Sequence, residues 1–62
     1  MWAIHVRQIV NQMTPSELME LSPNDILGCA AACDCDSVGK ERWDIIRART
    51  ILLAGTMIAK SM

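Results

Sequence analysis

Three cysteines lie close together in the middle of the chain, and they are the residues most able to carry chemistry. Cys29 and Cys33 are four positions apart, which places both thiols on one face of a helix, and Cys35 follows two residues later. With His5 as a fourth ligand they could hold a tetrahedral zinc ion. The chain has no C-x2-C pair, however, and His5 would have to come from a distant segment. We therefore predict no metal site and no cofactor, and we interpret Cys29 and Cys33 as small apolar residues of a buried helix.

Catalysis is not indicated by the remaining reactive groups. Asp34 and Asp36 flank the cysteines, and neighbouring carboxylates raise the pKa of a thiol and so disfavour the reactive thiolate. His5 is the only histidine, and no acid or nucleophile accompanies it at catalytic spacing. The three glycines are scattered and cannot form a phosphate-binding loop. We predict that the protein has no catalytic residues and is not an enzyme.

The basic residues are concentrated in the last third of the chain, where they surround a tryptophan. Trp and Arg are enriched at the centres of protein–protein interfaces. A tryptophan among charged residues is typical of a side chain at the edge of a contact surface. We therefore predict that a partner is bound by Arg42, Trp43, Arg47 and Arg49.

Nucleic-acid binding is the alternative interpretation. Residues 15–21 and 23–33 are predicted as two short helices with a tight connection, which are the proportions of a helix-turn-helix motif. The second helix has no Lys or Arg, and Asp25 near its start would repel phosphate. The net charge of −1 does not favour a nucleic-acid partner either. A helix-turn-helix-like regulator that uses the basic half of the last helix is thus the less favoured hypothesis.

Helix-start signals divide the chain into its elements. Thr14-Pro15-Ser16-Glu17 combines an N-cap, a proline at the first helical position and a glutamate able to close a capping box. Ser22-Pro23-Asn24-Asp25 repeats this pattern eight residues later. Before them, residues 2–13 form the first predicted helix, because Trp2, Val6, Ile9 and Met13 recur at helical spacing. Residues 34–39 are predicted as a loop, with Asp36 or Ser37 as the N-cap of the next helix.

The last 23 residues, 40–62, are predicted as one long helix with two apolar lines. The first line consists of Trp43, Ile46, Thr50, Leu53 and Met57, and the second of Ile45, Ala48, Leu52 and Ala59, with Gly55 in register. One line can pack on the rest of the chain, and the other then faces water unless a second copy covers it. We therefore predict self-association, as a homodimer or higher oligomer. The residues assigned to it are Ile46, Leu52, Leu53 and Met57.

Length and composition set the remaining bounds. A chain of 62 residues, 52% of them apolar, is a single domain over residues 1–62 that buries too little surface to be robust alone. No signal peptide is recognised, and the apolar run at residues 51–59 is shorter than the about 20 residues of a membrane span. An odd number of cysteines favours a reducing cytoplasm.

Together these observations predict an all-α domain in which three shorter helices pack on one long C-terminal helix and which self-associates. The predicted function is non-enzymatic and works through protein–protein interaction, as an adaptor, inhibitor or regulatory subunit.

Overall fold

The computed structural model describes the backbone of residues 1–61 and the side chains of residues 1–55. Within that part of the chain there are five helices and no strand. The helices are α1 (Trp2–Gln12), α2 (Pro15–Glu20), α3 (Pro23–Ala32), α4 (Cys35–Val38) and α5 (Lys40–Ser61). The all-α prediction is therefore confirmed.

Both predicted helix-start signals form their caps. The Thr14 hydroxyl accepts a hydrogen bond from the Glu17 N–H at 3.2 Å, and the Glu17 carboxylate accepts one from the Thr14 N–H at 2.9 Å. The Ser22 hydroxyl accepts from the Asp25 N–H at 3.2 Å. The bond from the Thr14 N–H lowers the pKa of Glu17. The cap is therefore intact above the usual carboxylate pKa and weakens only as the pH falls through the lowered value.

The segment predicted as a loop contains a helix. Asp34 caps α4 by accepting from the Ser37 N–H at 2.8 Å, and the Ser37 hydroxyl accepts from the Asp34 N–H at 2.9 Å. Gly39 then has a φ of 87°, in the left-handed region that glycine tolerates best. This turn leads from α4 directly into α5, which begins at Lys40. The predicted N-cap of the long helix at Asp36 or Ser37 was wrong, because Ser37 belongs to the cap of α4.

The core draws at least one side chain from every helix. Among the side chains of residues 1–55, its buried members are Val10, Leu18, Ile26, Cys29, Ala32, Cys33, Val38 and Ile46. Helices α3 and α4 each pack against both α1 and α5, while α2 packs on α5. The long helix therefore contacts α2, α3 and α4, and the central helices join it to α1.

The buried face of α1 keeps Val6 and Met13 of the predicted stripe and adds Ala3 and Val10, which lie beside it. Val10 is fully buried and Val6 is packed against the core, but Trp2 and Ile9 are 59% and 46% exposed. Ala3 replaces Trp2 at the inner side of the first turn. Both sets of residues have helical spacing, and the set with the smaller side chains is the one turned towards the core.

Candidate protein-binding surface

Two arginines of the predicted partner site bind main-chain carbonyls of other helices. Arg42 donates from Nε and Nη2 to the carbonyl oxygen of Met13, the C-cap of α1, at 3.1 and 3.0 Å. Arg49 donates from Nη1 to the carbonyl oxygen of Leu18 in α2, at 2.8 Å. Both side chains are partly buried. The two arginines thus attach the C-terminal parts of α1 and α2 to α5.

A third arginine does the same for α3. Arg7 of α1 donates from Nε to the carbonyl oxygen of Ala32, the last residue of α3, at 2.6 Å. The last carbonyls of a helix lack partners within the helix and carry partial negative charge. None of α1, α2 and α3 has a basic residue in its own last turn. Arginines from other helices supply that charge, a role that the sequence analysis missed.

The structure separates the four residues that were predicted to bind a partner. Arg42 and Arg49 are engaged in the hydrogen bonds above, and Trp43 is partly buried against the core. Arg47 is exposed. Partner binding by these residues stays a prediction, and Arg47 is the arginine of the four whose side chain lies at the surface.

The four residues assigned to self-association are also placed differently from one another. Ile46 is fully buried in the core of its own chain, so no part of its side chain is left for a second chain. Leu53 is partly buried against the same core. Leu52 is 70% exposed. Met57 lies outside the residues whose side chains are described. Of the two apolar lines of α5, the one that includes Ile46 and Leu53 faces inward, and its Thr50 donates a hydrogen bond to the Ile46 carbonyl at 2.7 Å.

The second apolar line of α5 borders a surface groove. This α2–α5 groove has a volume of about 340 Å³ and is lined by Met19, Ile45, Ala48, Arg49 and Leu52. Met19 is 66% exposed, and the neighbouring Ile51 is 60% exposed. Met19 and Leu52 therefore place two large, exposed apolar side chains at this groove, beside Arg49, which is hydrogen-bonded to α2.

A second groove of about 310 Å³ lies between α1 and α3. Its walls are mostly apolar, with Ile9 of α1 and Leu21 among them, and Asn24 and Asp25 are at the start of α3. Gly28 also lines it, and a Cβ atom at this position would meet nothing within 4 Å. This groove has less exposed large apolar surface than the α2–α5 groove, since Ile9 is its principal exposed member.

The cysteines do not gather around an ion. Among the described side chains, no group of three or more His, Cys, Asp or Glu residues could hold a metal. Cys29 and Cys33 are buried, while Cys35 and His5 are exposed. Burial raises the pKa of the Cys29 thiol, with a further contribution from Asp25. Burial likewise raises the pKa of Cys33, and Cys29 and Asp34 add to the effect.

These thiols are expected to react in two classes. With an aromatic disulfide reagent at neutral pH, Cys35 should react at a rate typical of an accessible thiol. Cys29 and Cys33 should be slower by at least roughly tenfold, since both are buried and their pKa values are raised. Stopped-flow absorbance measures the phases, and the fast phase should vanish in Cys35→Ser. Three equal rates in the folded protein would contradict the core assignment of Cys29 and Cys33.

No family model, no curated protein and no solved structure matches this chain. In the described part of the chain, no helix combines the length and the apolar character needed to cross a membrane.

Proposed function

We propose that this protein acts by binding protein chains, as an adaptor, inhibitor or regulatory subunit without catalysis of its own, and that it does so as a homo-oligomer. The observation that carries the proposal is the apolar surface formed by Met19, Ile51 and Leu52, which are 66%, 60% and 70% exposed. Exposed apolar area costs roughly 25 cal/mol for each Å² that a partner could cover. Met19 and Leu52 line the same groove, and exposed apolar side chains grouped in this way commonly mark protein interaction sites.

The hydrogen bond that joins α2 to α5 beside this surface supports the proposal. Arg49 holds the carbonyl of Leu18, which is fully buried, and the next residue is the exposed Met19. This hydrogen bond joins α2 to α5 beside the groove. A surface that is already ordered loses less conformational entropy when a partner binds. The three thiols, none of which forms a disulfide, agree with our proposal that the protein works in the cytoplasm.

Nucleic-acid binding has weaker support. Arg7, Arg42 and Arg49 each donate to main-chain carbonyls, and Lys40 forms an ion pair with Asp44 at 2.7 Å. Each of these interactions competes with contact to a phosphate. We therefore keep the protein–protein proposal and treat the helix-turn-helix-like regulator as the alternative.

The proposal predicts covalent capture of a protein at the α2–α5 groove. A photo-crosslinking amino acid in place of Ile51, in the cells that express the protein, should give an adduct with a protein chain of defined mass. The substitution Leu52→Lys should remove this adduct, because it places a charge in the groove. Leu27→Lys is the matched control, since Leu27 is an exposed leucine of α3 that does not line the groove.

Mass spectrometry of the adduct and circular dichroism of each variant complete the experiment. A folded protein that gives no adduct from position 51, or an adduct that survives Leu52→Lys, would overturn the proposed function.

A further inference from the structure

We infer that a second copy of this chain occupies the α2–α5 groove, with its α5 antiparallel to the first. The inference rests on the proposed function, and it names the partner and its orientation. It is carried by the pattern of residue sizes along the side of α5 that borders the groove, by the glycine in that pattern and by the distribution of charge along the helix.

Large and small residues alternate along the side of α5 that borders the groove, where Ile45 is half-buried against the core of its own chain and Ala48, Leu52 and Gly55 are exposed. Ile45, Ala48, Leu52 and Gly55 follow one another at spacings of three, four and three, so they form a single line on the helix. In an antiparallel pair with its twofold axis near residue 50, Ile45 faces Gly55 of the second copy. Leu52 then faces Ala48 of the second copy, so every large side chain meets a small one. A parallel pair would instead place Ile45 against Ile45 and leave a void at Gly55, which is unfavourable for packing.

Gly55 has no explanation within one chain. A Cβ atom at this position would meet nothing within 4 Å, so no neighbour among the described residues of the same chain requires a glycine there. A glycine inside a helix costs about 1 kcal/mol relative to alanine. A second copy would explain the glycine, because its Ile45 side chain would fill the space beside Gly55.

Charge also favours the antiparallel orientation. Residues 40–49 contain four basic and two acidic side chains, a net charge of +2, whereas residues 50–55 contain none. A parallel pair would bring the two positive halves together. In the antiparallel pair residues 40–49 lie beside residues 51–60 of the other copy, in which Lys60, opposite Lys40, is the one charged residue, so the repulsion is lower than in the parallel pair.

The available area indicates which other residues take part. A stable interface buries about 800 Å² per partner, close to a fifth of the 4439 Å² that this chain exposes. The line from Ile45 to Gly55 is only about 15 Å long, too short to supply that area alone. Met19 on α2 and Ile51 beside the twofold axis extend the contact. We expect a dimer that dissociates on dilution within the micromolar range.

The first test uses Gly55→Leu. In the monomer this change should leave the thermal midpoint unchanged or raise it, because leucine is the better helix former and a Cβ atom at this position meets nothing within 4 Å among the described residues. In the dimer the leucine should fill the space that Ile45 of the second copy would occupy, and it should raise the dissociation constant of the dimer by roughly tenfold or more. Sedimentation equilibrium from micromolar to millimolar concentration measures this constant. Gly28→Ala, in the other groove, is the control and should leave it unchanged. A wild-type mass of 6.9 kDa at every concentration, or equal constants for wild type and Gly55→Leu, would overturn the inference.

The second test fixes the orientation by disulfide crosslinking in a Cys35→Ser background. Ile45→Cys and Gly55→Cys chains, mixed and oxidised, should give the mixed disulfide, because the antiparallel pair brings these positions together. Each variant alone should not crosslink, since identical positions are then about 15 Å apart along the axis. Homodisulfides without the mixed product would indicate a parallel pair and contradict the inference.

The outcomes separate this inference from the proposed function. An adduct at position 51 with a different protein, together with a monomeric wild type, would leave the proposed binding of a partner protein standing and would remove both the second copy and the proposed homo-oligomer. No adduct of any mass would remove both.

Discussion

Ile46→Ala is expected to unfold most of the protein at room temperature. Ile46 is fully buried in α5 and belongs to a core that all five helices share. Truncating a buried isoleucine to alanine costs about 2–5 kcal/mol. A single core in a chain of this size supplies only about 3–5 kcal/mol of net stability. The loss is therefore comparable to the whole free energy of unfolding.

Urea denaturation followed by far-ultraviolet circular dichroism measures this effect. Ile51→Ala is the matched control on the same helix, because Ile51 is 60% exposed and its truncation should change the free energy of unfolding of the monomer little. Ile46→Val should remain folded and lose about 0.5–1.5 kcal/mol, which gives a measurable intermediate. If Ile46→Ala kept the helix content of the wild type and altered only the oligomeric state, Ile46 would be an interface residue and its place in the core would be refuted.

Arg42→Met is expected to destabilise the fold by about 1.5–3 kcal/mol, the range for hydrogen bonds that involve a charged group. The substitution keeps an aliphatic stem but removes both hydrogen bonds to the Met13 carbonyl. That oxygen lies at the C-cap of α1, whose last turn has no basic residue of its own. The end of α1 would then be held to α5 only by weaker contacts, so α1 should fray before the rest of the chain unfolds.

Amide hydrogen exchange locates this effect, and urea denaturation gives its size. Arg47→Met is the matched control, because Arg47 is exposed on the same helix and its removal should be nearly neutral. Arg42→Lys should restore little of the stability, since an ammonium group cannot reproduce the two-pronged contact of the guanidinium. Equal stabilities for Arg42→Met and Arg47→Met would show that the contact with Met13 contributes nothing measurable.

The helix-start signals were predictable because they depend on residues three positions apart. Thr14 with Glu17, and Ser22 with Asp25, form their caps within a single turn, and the two prolines fix the first helical positions. The cap of α4 is equally local, but its four-residue helix is too short to show an apolar period, so it was predicted as a loop. Local signals were sufficient where a helix had enough length to display its pattern.

The functional residues were less predictable, because the type of a residue does not reveal which atoms its side chain contacts in the folded protein. Arg42 and Arg49 have the composition of a contact surface, yet their partners are carbonyl oxygens 29 and 31 residues away in the sequence. The lack of basic residues in the last turns of α1 and α2 is the sequence signal that indicates a need for basic side chains from elsewhere in the chain. Arg47 has the same residue type and is exposed.

The all-α class, the starts of α2 and α3 and the two apolar lines on the last helix follow from the order of residues alone, since they depend on neighbours within one or two turns. Which line faces inward depends on how the helices pack. The packing places Ile46 in the core and leaves Leu52 at the surface. It also buries Val10, rather than Ile9, on α1. Two faces with equal helical spacing are equivalent until another helix packs against one of them, and that contact is made by residues far apart in the chain.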